Sequence, residues 1–138
     1  MPSADEFEVA FRESNYTNSN SKQKNIVRYI LRKFSEHYKY RYSCDYDELT
    51  IEHYYPQSKI GNVWTEELVG SLGNLFYLEE IENGKLDAKS PEEKKKLLKK
   101  ANAALPKFID KASKWSPELI RSHTDDMAKV AQTKIWKI

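Results

Sequence analysis

Residues 50 to 86 read TIEHYYPQSKIGNVWTEELVGSLGNLFYLEEIENGKL, and their polar landmarks are the acid-imidazole pair Glu52-His53, then Asn74, then Asn83. Hydrolysis of a phosphodiester needs a group that takes the proton of the attacking water. A neutral imidazole, with a pKa near about 6.5, is matched to that task at neutral pH, which makes His53 the candidate general base. A hard divalent cation, Mg²⁺ most simply or Mn²⁺, prefers oxygen ligands and keeps several waters, so the Glu52 carboxylate and the Asn83 amide oxygen would suffice as protein ligands. Each residue also has an ordinary reading. Taken singly, His53 is more often a half-buried structural histidine, Asn74 a turn residue, and Asn83-Gly84 a helix stop or hairpin turn. Neighbours in a regular strand point to opposite faces, so Glu52 and His53 share one site only if the strand frays or bends. Pro56, which lacks a ladder donor and restricts the residue before it, favours an early strand end.

The elements that must position these residues are legible in outline. Leu49 to Tyr55 is rich in β-branched and aromatic residues and predicts a strand, and Leu75 to Leu78 predicts a second. Residues 5 to 13 predict a short helix, and Asn15 to Ser21 a polar, turn-rich linker with Ser21 as N-cap of the next helix. From Lys22 to about Tyr40, the spacing of Ile26, Val27, Ile30, Leu31 and Phe34 predicts an amphipathic helix. Ser90-Pro91-Glu92-Glu93 is a capping box with proline at the first helical position, opening a lysine-rich helix to about Asn102. Ser116-Pro117 starts the last helix, with Ile120, Met127, Val130, Ala131, Ile135 and Ile138 on its apolar face. Trp64, Trp115 and Trp136 are expected as core anchors, and His37 and His123 as structural or surface groups.

A chain of 138 residues fits one domain. The single cysteine, Cys44, excludes an internal disulfide and a cysteine cage for zinc. Without a long apolar run or a basic-then-apolar N-terminus, no membrane span or secretory signal is expected, and a cytoplasmic location follows as the expectation. Charge is segregated: residues 44–84 carry one lysine against nine acids, while residues 85–138 carry fourteen basic groups against seven acids. An acidic centre between basic flanks suits a cation site within a phosphate-binding surface.

In order, the chain supplies Tyr29-Ile30-Leu31, Ile51-Glu52-His53-Tyr54-Tyr55-Pro56-Gln57, Leu72-Gly73-Asn74-Leu75, Asn83, Lys94-Lys95-Lys96, Trp115 and Trp136. From about residue 25 to the end, this combination resembles the HNH endonucleases, most closely the C-terminal HNH domain of GmrSD-type modification-dependent restriction enzymes. Where that family usually has an arginine three residues after the isoleucine of the last helix, this chain has His123. The resemblance implies an α+β, mostly helical fold whose ββα-metal core is a two-stranded hairpin packed among several helices. Residues 1–138 would form one domain: an extension and linker at 1–21, a supporting helix at 22–43, the core at 49–102 and C-terminal helices at 103–138. It also implies a metal-dependent DNA endonuclease of a restriction or phage-defence system, with His53 as base, Asn74 pinning the loop between the strands, and Glu52 and Asn83 on the metal. Lys85, Lys94 and Lys95, beside Asn83, are the expected phosphate contacts. DNA and a nucleotide-hydrolysing partner domain are the implied partners, and whether two copies pair is left open by the sequence. The alternative is a module of the same fold, without activity, that binds nucleic acid or docks a partner.

Overall fold

A computed structural model describes residues 3–42, 44–79, 86, 88–101, 106–112 and 114–137. Asn83 and Lys85 lie outside the described residues. Helix α1 (Ala4–Glu13) is capped by Ser3, whose hydroxyl accepts from the Glu6 amide at 3.1 Å. Helix α2 spans Lys24–Tyr38. Strands β1 (Leu49–His53) and β2 (Leu75–Glu79) pair antiparallel, with Leu49 opposite Glu79 and His53 opposite Leu75. Between them lies the short helix α3 (Glu66–Val69). Helices α4 (Pro91–Lys100), α5 (Lys107–Lys111) and α6 (Pro117–Val130) follow, and α6 runs on into a π-turn at Ala131–Ile135. Among the described residues the architecture is mostly helical around one antiparallel strand pair.

β2 explains why its sequence is an unbroken apolar run rather than an alternating one. Leu75 and Tyr77 enter one core, with Phe11, Val27, Leu31, Phe34 and Met127. Phe76 and Leu78 enter a second core on the opposite face, with Tyr54, Leu98, Ile109 and Trp115. Successive strand residues face opposite ways, so a strand covered on both sides must be apolar throughout. Each of these four side chains contributes roughly 1.5 to 3 kcal/mol by leaving water.

Gly73 stands where α6 crosses the start of β2. A Cβ there would lie 2.3 Å from Thr124 Oγ1 and 2.4 Å from the Ile120 carbonyl oxygen, and the Gly73 amide donates to Thr124 Oγ1 at 3.0 Å. Only a residue without a side chain lets the helix approach so closely.

Three sequence expectations change. Ser21 does not cap α2 through its hydroxyl; its carbonyl accepts from the Lys24 amide, and the N-cap is Gln23, whose own side chain accepts from the Asn15 amide at 2.9 Å. Asn15 to Ser21 is not a loose linker. Thr17 is buried, Asn15 bridges to Ser71, and Asn15 Nδ2 donates to the Glu67 carbonyl, so the polar residues that suggest a turn are used in cross-chain bonds. β1 ends at His53 rather than Tyr55, because the Tyr55 amide donates to the Asn74 side chain.

Candidate active site

β1 carries the acid-imidazole pair to its C-terminal end. The two-stranded sheet pairs β1 with β2 along one edge, and a cleft lies along β1 on another side, lined by Tyr16, Glu52, His53, Gln57, Ser58 and Lys94. The two residues leave the strand in opposite directions, Glu52 toward α4 and His53 toward the 15–20 segment, yet both line this cleft. The strand need not fray for the pair to meet; the cleft takes in both faces at the strand end.

His53 is 4% exposed, and its Nε2 is 2.7 Å from the Tyr16 carbonyl oxygen. A carbonyl can only accept, so Nε2 carries the hydrogen and Nδ1 carries the lone pair. The Tyr16 ring stacks on the imidazole, with centroids 5.7 Å apart and planes 28° apart. Burial pushes the imidazole pKa down to about 4; the Tyr16 bond opposes that drop and the Lys94 ammonium adds to it. The ring is therefore neutral at pH 7 and oriented, with Nδ1 as its acceptor, but a pKa near 4 makes it a weaker base than the value of about 6.5 that matches the task at neutral pH.

Glu52 is also buried, and its Oε1 accepts from Lys94 Nζ at 3.0 Å. Lys94, 1% exposed, donates as well to the His53 carbonyl oxygen at 2.5 Å. The expectation that Lys94 meets DNA phosphates is thereby corrected. Its helical period puts it on the buried stripe of α4 with Pro91 and Leu98, so its charge points into the protein. Lys95, half-buried, donates to the Asp110 and Ala112 carbonyls at 3.0 and 2.9 Å, where it closes the C-terminal end of α5.

Asn74 is fully buried and uses all four positions of its amide. Nδ2 donates to the Val69 and Tyr55 carbonyls at 2.7 and 3.1 Å, and Oδ1 accepts from the Tyr55 amide at 2.8 Å and Trp115 Nε1 at 3.0 Å. This satisfies the amide completely. It ties the exit of β1 to the entry of β2, while the bond that orients the His53 ring comes from Tyr16.

Tyr16 is the site residue that sequence reasoning missed. It acts through a carbonyl, which every residue possesses, so no side-chain signal marks it.

The donor set bears on which cation could be held. Among the described residues no three His, Cys, Asp or Glu side chains converge. One buried carboxylate beside an open polar cleft suits a cation that retains most of its water, as Mg²⁺ does. Glu52 Oε1 is bound by Lys94 Nζ and Oε2 is buried as well, so a cation on this carboxylate would stand beside the Lys94 ammonium.

No helix among the described residues is long and apolar enough to cross a membrane. No curated protein and no solved structure matches the chain significantly. The family described as GmrSD restriction endonucleases, C-terminal domain, matches residues 1–130, and the chain, with its acid-imidazole cleft at the end of β1, belongs to that family of restriction-endonuclease domains.

Proposed function

We propose that the chain is a metal-dependent HNH endonuclease domain that hydrolyses DNA phosphodiester bonds in the Glu52–His53 cleft, as the nuclease part of a restriction or phage-defence system. The observation that carries this reading is the neutral His53 imidazole, pinned through Nε2 to the Tyr16 carbonyl beside a buried carboxylate. His53 Nδ1 takes the proton of the attacking water, and the Tyr16 carbonyl stabilises the imidazolium that forms. Mg²⁺ or Mn²⁺, held by Glu52 and Asn83, would supply charge neutralisation at the phosphate and the leaving oxygen. Asn74 keeps the two strand ends in register under this site. With Lys94 buried and Lys95 engaged at the end of α5, Lys85 and the exposed Lys96, Lys99 and Lys100 are basic groups that would track phosphates. Coupling to a nucleotide-hydrolysing domain and pairing of two copies for double-strand cleavage belong to the same proposal.

The test is nicking of supercoiled plasmid by the purified chain with Mg²⁺ or Mn²⁺. His53→Ala should slow it by about 10² to 10⁴. Equal cleavage by the variant rejects His53 as base.

A second reading is favoured by one observation: the Glu52 carboxylate already has a cationic partner in Lys94. A non-catalytic module of this fold would bind DNA or a partner protein with that ion pair intact. It predicts a salt-sensitive mobility shift with DNA and no turnover at any metal concentration.

A further inference from the structure

Lysine is rarely buried, and burying an ion pair costs several kcal/mol of desolvation that an apolar side chain of similar volume would avoid. Lys94 is nevertheless 1% exposed, on a helix stripe whose other members are Pro91 and Leu98. An apolar residue there would continue the stripe. The ammonium instead donates to the Glu52 side chain at 3.0 Å and to the His53 main-chain oxygen at 2.5 Å. These acceptors belong to the acid and the imidazole residue of the pair, reached from a helix more than 40 residues away in sequence.

From this geometry we infer that Lys94 is a positioning residue of the cleft: its buried ammonium holds the Glu52 carboxylate and the His53 main chain in the arrangement that faces both side chains onto one site. The role rests on the nuclease reading above. An ammonium has three N–H donors on one nitrogen, so it can gather a carboxylate and a carbonyl at one point, which a methylene chain of the same length cannot. The Glu52 carboxylate is then aimed, and the peptide that follows the imidazole is fixed at its carbonyl. Lys94 touches neither substrate nor reacting atoms and acts through its two neighbours. Loss of such support typically costs about 10- to 100-fold in activity.

The experiment is plasmid-nicking kinetics over a Mn²⁺ titration, with thermal melts alongside, for wild type, Lys94→Met, Lys94→Arg and Leu98→Val. Lys94→Met should lower kcat about 10- to 100-fold while KM for DNA stays within about threefold. Lys94→Arg, which keeps charge and donors, should recover part of that loss. Leu98→Val, buried on the same helix, should lower the melting temperature and leave kcat unchanged, separating site geometry from general stability. Should Lys94→Met lack a cooperative melt, Lys94→Gln carries the same expectation with an amide donor in the same stripe. A Lys94→Met protein with wild-type kcat, or one altered only in KM and salt dependence, overturns the positioning role and leaves the nuclease reading standing. A wild-type chain inactive with both metals sinks the nuclease reading, and this role with it.

Discussion

His53 and His123 are two imidazoles in nearly the same local circumstances. Each bonds a backbone carbonyl, Tyr16 at 2.7 Å and Gly73 at 2.9 Å, and each stacks on an aromatic ring, Tyr16 and Phe108. Burial lowers both pKa values. They differ in tautomer and in company. His53 donates from Nε2 and shares an open polar cleft with Glu52, Gln57 and Ser58. His123 donates from Nδ1 and lines a mostly apolar cavity with Phe34, Tyr38, Phe76, Phe108 and Met127. His123 is half-buried and has an exposed carboxylate, Asp126, on its cavity, whereas His53 and its carboxylate Glu52 are both buried; an oriented histidine is thus no site by itself, and the buried carboxylate and the polar cleft make the difference.

The sharpest way to break that contrast is to remove each ring in turn. His53→Ala should cost about 10² to 10⁴ in nicking rate, while His123→Ala should lower the melting temperature and leave the rate within about threefold. Comparable rate losses for both would show that the two histidines are not functionally distinct.

Two buried substitutions press on the scaffold beneath each ring. Asn74→Ala orphans the Trp115 indole N–H and the Tyr55 amide, at about 1 to 3 kcal/mol for each unpaired group, so urea unfolding should show a loss of several kcal/mol. Gly73→Ala drives a methyl group into Thr124 and the Ile120 carbonyl, and should cost about 1 to 3 kcal/mol while disturbing His123 before His53.

Acid should expose the shared feature. The folded pKa of His53 lies near 4, below its unfolded value, so the unfolded chain binds more protons once the pH drops under about 6.5. Its contribution is complete above that pH and is lost progressively down to about pH 4, on the order of 2 to 4 kcal/mol. His123 shifts in the same direction. Replacing either histidine with glutamine should flatten the stability profile between pH 7 and pH 4.5, as measured by denaturant titration; an unchanged slope would mean that neither ring is buried neutral.

The smallest expected effect separates the Tyr16 ring from its carbonyl. Tyr16→Leu keeps the backbone acceptor and loses the stack, worth about 0.5 to 1.5 kcal/mol, so nicking should fall roughly three- to tenfold. A loss as large as that of His53→Ala would mean that the ring, not the carbonyl, holds the imidazole.

Much of the fold is written locally. Ser90 and Ser116 cap α4 and α6 as their motifs predict, with hydroxyls accepting from Glu93 and Leu119. The spacing of Val27, Ile30, Leu31 and Phe34 places one face of α2 in the core, though Ile26, expected on the same stripe, is exposed; Trp115 is the buried anchor its type suggests, while Trp64 and Trp136 pack half-buried against the cores. Lys94 shows where such reading stops. Its position three after Pro91 and four before Leu98 marks the buried stripe, but its charge argues for the surface, and only the partner explains its burial. The 15–20 segment misleads in the same way, because asparagine, serine and threonine favour turns and also serve as long-range hydrogen-bonding groups.

By itself the sequence determined the long helices, the Ser90 and Ser116 caps, the presence of both strands and the Glu52-His53 pair, since these depend on residue type and on neighbours within a turn or two. The tertiary structure alone decided which groups hold that pair: the Tyr16 carbonyl on one side and the Lys94 ammonium on the other, 37 and 42 residues from the side chains they bond. The physical reason is that a main-chain carbonyl carries no trace of residue identity, and a lysine goes inside only where the packed chain has already set an acceptor to receive it.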